Sequence, residues 1–152
     1  MRTLALTEIT RGHGPAMVHA STVMVHGQAV VLFGASGSGK SSMALMLMSL
    51  GGTLVADDRT VLTREGAQII ARCPETICGR IEARGVGILR AAATGSAPVS
   101  LFVDMDQTET ERLPQSRDLT VFGLQRPLLH KVERGYFPAA LMQYLTHGID
   151  GE

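Results

Sequence analysis

Eight consecutive residues, Gly34 to Ser41 (GASGSGKS), constrain this chain more than any other stretch. They spell G-x-x-x-x-G-K-S between an apolar run, Gln28 to Phe33 (QAVVLF), and an apolar segment, Lys40 to Leu50, closed by Gly51 and Gly52. The run reads as a buried strand and the segment as a helix ending at its glycine pair. Between them, Gly34, Gly37 and Gly39 lack Cβ atoms, so the backbone can curl until successive N–H groups face one concavity at the positive end of the helix. A polyphosphate suits that concavity. Only two of the fourteen Lys and Arg residues are lysines, Lys40 and Lys131. Lys40 fits the motif because a compact ammonium suits an enclosed phosphate site better than arginine's planar fork. Ser41 is positioned for its hydroxyl to ligate Mg²⁺ bridging two phosphates. Gly34, Ala35, Ser36, Gly37, Ser38, Gly39, Lys40, Ser41 and Ser42 therefore form the candidate nucleotide-binding segment.

The next apolar run, Thr53 to Asp58 (TLVADD), ends in two carboxylates. A strand, a helix of about ten residues and a second strand describe a right-handed crossover with parallel strands, which end on one rim. One carboxylate can then face the metal or the attacking nucleophile. Neighbouring strand residues point opposite ways, so Asp57 and Asp58 should have different jobs unless the chain turns there. Alone, ADD is more often a strand-ending turn; beside a phosphate loop it reads as catalytic or metal-binding. These features reach a Mg²⁺-dependent nucleotide-binding protein that transfers phosphoryl groups. Neither N-K-x-D nor L-S-G-G-Q is present, which argues against a GTPase switch or a transporter ATPase.

The remaining chain predicts a mixed α/β sheet with few helices. TVLTREGAQIIAR (60–72) reads as a hairpin turning at Glu65–Gly66. Pro98 to Asp106, Asp118 to Leu124 and Pro127 to Glu133 read as strands, and Pro138 to about His147 as a helix opened by proline. The methionines and leucines of the first helix leave it almost no polar face, so it should be packed on more than one side. At 152 residues the chain is one domain's worth, with a core over about 18–147. Its formal net charge is zero, so no long-range field argues for nucleic acid or an anionic membrane as partner. No signal peptide or membrane-spanning run is evident, and the expected location is cytoplasmic. Cys73 and Cys78, with four residues between them, are expected to be reduced structural thiols.

Taken together, GASGSGKSS, LVADD and IEARGVGIL (Ile81 to Leu89) resemble the catalytic domain of HPr kinase/phosphorylase, whose members phosphorylate a seryl hydroxyl of the phosphocarrier protein HPr. The resemblance covers roughly Val18 to Leu113, and the C-terminal third weakly. IEARGVGI is its most specific element, close to the family's I-E-x-R-G-x-G-I signature. The resemblance implies a P-loop fold like that of the family and of the nucleotide-binding part of phosphoenolpyruvate carboxykinase, with ATP and Mg²⁺ as cofactors. It implies that Lys40 holds phosphate, that Ser41 and Glu82 ligate the metal with Asp57 nearby, and that Asp58 accepts the seryl proton. His19, fifteen residues before Gly34, matches the family's active-site histidine, and Arg112 in ERLP the arginine of its D-R-L-G segment. His19 could pair with the catalytic carboxylate, while Arg112 would neutralise phosphoryl charge. Arg80 and Arg84 would brace Glu82, contact a neighbouring chain or form ordinary surface salt bridges. The expected partners are HPr and further copies of the chain, the family assembling as hexamers.

Two departures qualify the likeness. Only 18 residues precede His19, so the chain reads as a short form lacking the N-terminal domain of longer members. The family's proline-glycine-arginine-asparagine loop, linked to the reverse phosphorolysis, has no clear match; HKVERGYFP keeps Arg134–Gly135 only. Kinase activity is therefore expected, with phosphorylase activity weak or absent. The rival readings are a P-loop kinase for a small hydroxylated metabolite and a non-catalytic nucleotide sensor; the second has no need of a proton acceptor such as Asp58.

Overall fold

The structure, a computed structural model, describes residues 1–151. In chain order the elements are β1 (Thr3–Leu4), β2 (Ala16–Val25), β3 (Gln28–Phe33), α1 (Lys40–Ser49), β4 (Thr53–Ala56), β5 (Arg59–Glu65), β6 (Gln68–Arg72), β7 (Arg80–Ala83), β8 (Gly87–Arg90), β9 (Ser96–Thr108), β10 (Asp118–Val121), β11 (Leu124–Lys131) and α2 (Phe137–His147). Nine strands join one mixed sheet, and β7 and β8 form a separate hairpin. The mixed α/β architecture is the one expected.

Its hub is β2, a strand that periodicity does not reveal. Both faces of β2 are largely buried, so the polar–apolar alternation of a half-exposed strand is missing. The turn into β3 is His26–Gly27, both residues at positive φ (50° and 75°), which suits a two-residue hairpin and pairs Val25 with Gln28. The N-terminal half of β2 pairs with β5 and its C-terminal half with β3 and β4, all antiparallel. Strands β3 and β4 therefore run parallel on either side of β2, as the crossover requires. Phe33 lies opposite Ala20 and Ala56 opposite Thr22, which brings both strand ends to one rim.

Pairing continues from β5 to β6, from β6 to β9 and from β9 back to β3, closing a five-strand circuit. All five strands supply one core, including Val18, Val31, Leu62, Ile69 and Phe102. Alternation along β3 sends Ala29 and Val31 into it and Val30 and Leu32 to a second core beneath the helices. There α1 buries Met43, Ala44 and Leu47, spaced i, i+1 and i+4, against β2, β3, β7 and α2. Each large apolar side chain so buried contributes about 1.5–3 kcal/mol. The helix has several packing neighbours, yet Met46 stays 42% exposed, so its apolar outer face is not fully covered. Gly52 sits where helix and sheet come closest: a Cβ there would lie 2.6 Å from Val23 Cγ1 and 3.0 Å from the Leu47 carbonyl oxygen.

Two expectations need correction. Asp118 to Leu124 is not one strand, because β10 and β11 form a hairpin turning at Phe122–Gly123, both at positive φ (53° and 76°). Phe122 tolerates that backbone because its ring is buried and its N–H donates to the Ile9 carbonyl, tertiary anchors that no local pattern announces. Cys73 and Cys78 are not separate thiols. The short turn Glu75–Ile77 folds the segment back, and the two residues form a disulfide with Cα atoms 5.6 Å apart.

The loop after β9 is tied by an ion pair between Arg117 and Glu109. The Arg117 hydrogen bond, aided by the N–H groups of Glu111 and Thr110, lowers the Glu109 carboxyl from an ordinary 4.5 to about 2. No helix among the described residues is long and apolar enough to cross a membrane.

Candidate active site

The rim shared by β3 and β4 carries the glycine loop. Gly34, Gly37 and Gly39 have φ of 148°, 85° and 97°, and nothing lies within 4 Å of a Cβ built on Gly37, so the loop stays open on that side. Lys40, only 5% exposed, folds its ammonium under the loop and donates to the carbonyls of Gly34 (2.9 Å) and Ala35 (3.0 Å). A cleft of about 290 Å³ opens here, lined by Ser36, Gly37, Gly39, Lys40, Ser41, Ser42, Asp58, Glu82 and Arg84.

Asp57 organises the base of this cleft. Its Oδ1 accepts from the hydroxyls of Ser41 (2.6 Å) and Ser21 (2.8 Å), and its Oδ2 from the Glu82 N–H (3.0 Å). One buried carboxylate thus joins α1, β2 and β7. Strand β4 stops at Ala56, and the chain turns tightly: the Arg59 N–H donates to the Asp57 carbonyl at 2.7 Å, with Asp58 between them at φ 67°. A positive φ costs a non-glycine residue on the order of 1–3 kcal/mol and persists only where the surroundings hold it. Here the Asp58 N–H donates to Ser21 Oγ (3.1 Å) and its carbonyl accepts from the Ala20 N–H (3.0 Å). The turn removes strict strand alternation, leaving the Asp57 carboxylate buried against Ser41 and Asp58 lining the cleft.

Glu82 enters on β7, the first arm of the β7–β8 hairpin, and its side chain lines the cleft beside Arg84. Among the described residues the only salt bridge is Arg117–Glu109, so neither Arg80 nor Arg84 ion-pairs with Glu82. The structure therefore gathers Lys40, Ser41, Asp57, Asp58 and Glu82. His19 and Arg112 do not line this cleft. His19 is exposed on β2 and lines an adjoining pocket with Phe33, Gly34, Asp104 and Asp106, without a hydrogen bond to Asp58. Arg112 lines a third pocket, between the loop after β9 and α2.

Three contacts come from residues that sequence reasoning leaves without a role. Ser21 supports both aspartates from the unrecognised strand β2. Asp106 accepts the Ala35 N–H with both carboxylate oxygens at 3.0 Å. Lys131 donates from its ammonium to the Ser38 carbonyl at 3.3 Å. The scarcity of lysine was the available signal for the last; for Asp106 it was the DMD that closes the apolar run Pro98 to Asp106, as DD closes the run Thr53 to Asp58.

The donors match a phosphate-bound Mg²⁺ in kind. Among the described residues no three His, Cys, Asp or Glu side chains gather into a metal cage. Mg²⁺ does not need one, since it usually takes one or two carboxylates, substrate phosphates and water. Ser41, Asp57 and Glu82 offer hard oxygens of that type at the mouth of the glycine loop.

The family model described as HPr Serine kinase C-terminal domain matches residues 10–115. The chain belongs to that family. Among its relatives, the HPr kinase/phosphorylase of Cupriavidus necator is 35% identical over 119 residues, covering 70% of this chain and 37% of that protein. That of Prosthecochloris aestuarii is 43% identical over 76 residues, 49% of this chain and 22% of the other. The chain thus spans well under half the length of the curated relatives it matches. The solved structure of the Hpr(Ser) kinase/phosphatase from Coxiella burnetii superposes with a TM-score of 0.71 at 24% identity, covering 86% of this chain and 93% of that one. At that identity the superposition establishes a shared fold. The HPr serine kinase C-terminal domain match includes every residue of the cleft and both His19 and Arg112, but ends before Lys131.

Proposed function

We propose that this chain, as one catalytic domain, is a Mg²⁺- and ATP-dependent kinase that phosphorylates a seryl residue of HPr, acting in the cytoplasm to regulate the sugar phosphotransferase system. The observation that carries this reading is the 2.6 Å contact of Ser41 with Asp57 beside Asp58 in the same cleft. It sets a polyphosphate-type loop next to a carboxylate free to receive a proton.

In this reading the N–H groups of the glycine loop and the Lys40 ammonium hold the β- and γ-phosphates, and Ser41, Asp57 and Glu82 hold the metal. Bound there, Mg²⁺-ATP supplies the transferable phosphoryl group and much of the charge neutralisation. Asp58 would orient the incoming seryl hydroxyl and take its proton as the new P–O bond to the γ-phosphorus forms and the bond to the β,γ-bridging oxygen breaks, with ADP as the leaving group; serine, itself a weak nucleophile, needs such a base. Ser21 steadies this step indirectly, because it holds the carboxylate of Asp57 and the backbone of Asp58 at once. His19, in the adjoining pocket, and Arg112 serve the acceptor side or a neighbouring copy in a homo-oligomer, a hexamer by analogy with the family.

Incubation with Mg²⁺, radiolabelled ATP and HPr is expected to place acid-stable label on HPr. Labelling of a small hydroxylated metabolite instead would overturn the substrate assignment, and nucleotide binding without any transfer would overturn the kinase. Arg134–Gly135 is all that remains of the loop tied to phosphorolysis. Pyrophosphate release from seryl-phosphorylated HPr and inorganic phosphate is therefore expected to be far slower than the forward reaction; comparable rates would refute that.

A further inference from the structure

The second of the chain's two lysines lies 91 residues after the first in sequence and reaches the same loop. Lys131 ends β11, which runs parallel to β9 in steady register from Leu128 opposite Phe102 to His130 opposite Asp104. The register then breaks. Lys131 pairs with Thr108, so three residues of β9 are passed over between one residue of β11 and the next. Such an irregularity bends a strand and re-aims the side chain beside it. Its backbone is held there by the Glu109 N–H, which donates to the Lys131 carbonyl at 2.8 Å. The re-aimed ammonium donates to the Ser38 carbonyl and lies 3.7 Å from where a Cβ on Gly39 would stand.

On the neighbouring strand β9, Asp106 holds the Ala35 N–H. Two adjacent strands therefore grip the loop at both shoulders, one by an N–H and the other by a carbonyl. A peptide whose carbonyl is held from one side presents the next N–H on the other. Fixing the Ser38 carbonyl thus fixes the direction of the Gly39 N–H, one of the groups that would face a phosphate. No carboxylate pairs with Lys131 among the described residues, so its charge adds to that of Lys40.

We infer that Lys131 is a positioning residue of the phosphate loop: its ammonium locks the Ser38–Gly39 peptide and supplies a second fixed positive charge behind the amide cradle. The inference rests on the nucleotide-binding reading above. It assigns Lys131 to the diphosphate part of the ligand, since Ser38 and Gly39 close the loop at the N-terminus of α1, where its N–H groups meet a phosphate chain.

Calorimetry on the full chain with Mg²⁺-ATP, Mg²⁺-ADP and Mg²⁺-pyrophosphate tests it. Lys131→Met is expected to weaken all three by about tenfold, the scale of a lost charge-assisted hydrogen bond, and Lys131→Arg to recover part of the loss. Unchanged affinities overturn the assignment. So does a loss confined to ATP, which would mean contact with the terminal phosphate, or a loss sparing pyrophosphate, which would mean contact with the nucleoside. Equal losses in the Met and Arg variants would reduce Lys131 to a packing element. Should the Met variant fail to fold by circular dichroism, Lys131→Gln carries the same comparison. Failure of the unaltered chain to bind any of the three sinks the nucleotide reading itself, a result distinct from those above.

Discussion

Asp58→Asn is expected to slow phosphoryl transfer to the seryl acceptor by about 10²–10⁴-fold, the range over which a positioned general base acts. Affinity for Mg²⁺-ATP should change little, because Asp58 makes no hydrogen bond to the loop and the metal-type oxygens are those of Ser41, Asp57 and Glu82. The substitution tests chemistry more than folding. Asparagine is among the few residues that adopt positive φ readily, so the turn at φ 67° survives, as do the backbone bonds to Ser21 and Ala20. Single-turnover transfer of label to HPr, alongside calorimetry with Mg²⁺-ATP, separates the two effects. Transfer preserved within about tenfold would remove Asp58 as the proton acceptor.

Lys40→Met should act on the other half of the site. Methionine matches the length of the lysine stem but brings no charge, and preorganised cationic or amide donors of this kind are each worth about 10²–10³-fold. Phosphoryl transfer is expected to fall by about 10²–10³-fold, and Mg²⁺-ATP affinity by about tenfold or more. The variant also strands the Gly34 and Ala35 carbonyls, which now share the ammonium at 2.9 and 3.0 Å. Loss of a donor to partly buried carbonyls costs on the order of 1–3 kcal/mol. Thermal unfolding without nucleotide should therefore show a lower midpoint and an intact cooperative transition. Retained affinity would mean that the ammonium serves only to brace the loop.

Legibility followed the range of the interactions involved. Strand β3 and helix α1 were readable almost to the residue, since QAVVLF, the glycine loop and the Gly51–Gly52 stop are consecutive signals. The hairpin of β5 and β6 was equally local, with Glu65 opposite Gln68 across a two-residue turn. Strand β2 was missed because burial on both faces erases alternation. The Phe122–Gly123 turn was missed because an aromatic residue at positive φ is held there by tertiary bonds. In the candidate site, the crossover rule was enough to bring Ser41 and the DD pair to one rim. It gave no hint of Ser21, Asp106 or Lys131, which arrive on three other strands.

Taken alone, then, the primary structure determined which chemistry the chain carries: a glycine-curled turn, an ammonium and paired carboxylates, each encoded by neighbours within a few residues. Only the tertiary structure decided which of the two aspartates is buried against Ser41 and which lines the cleft, and that the second lysine returns to the loop of the first. The reason is physical. Backbone preference and periodicity act over one or two turns of chain, whereas the direction of a side chain at a strand end depends on register and bulges set by pairing with strands tens of residues away.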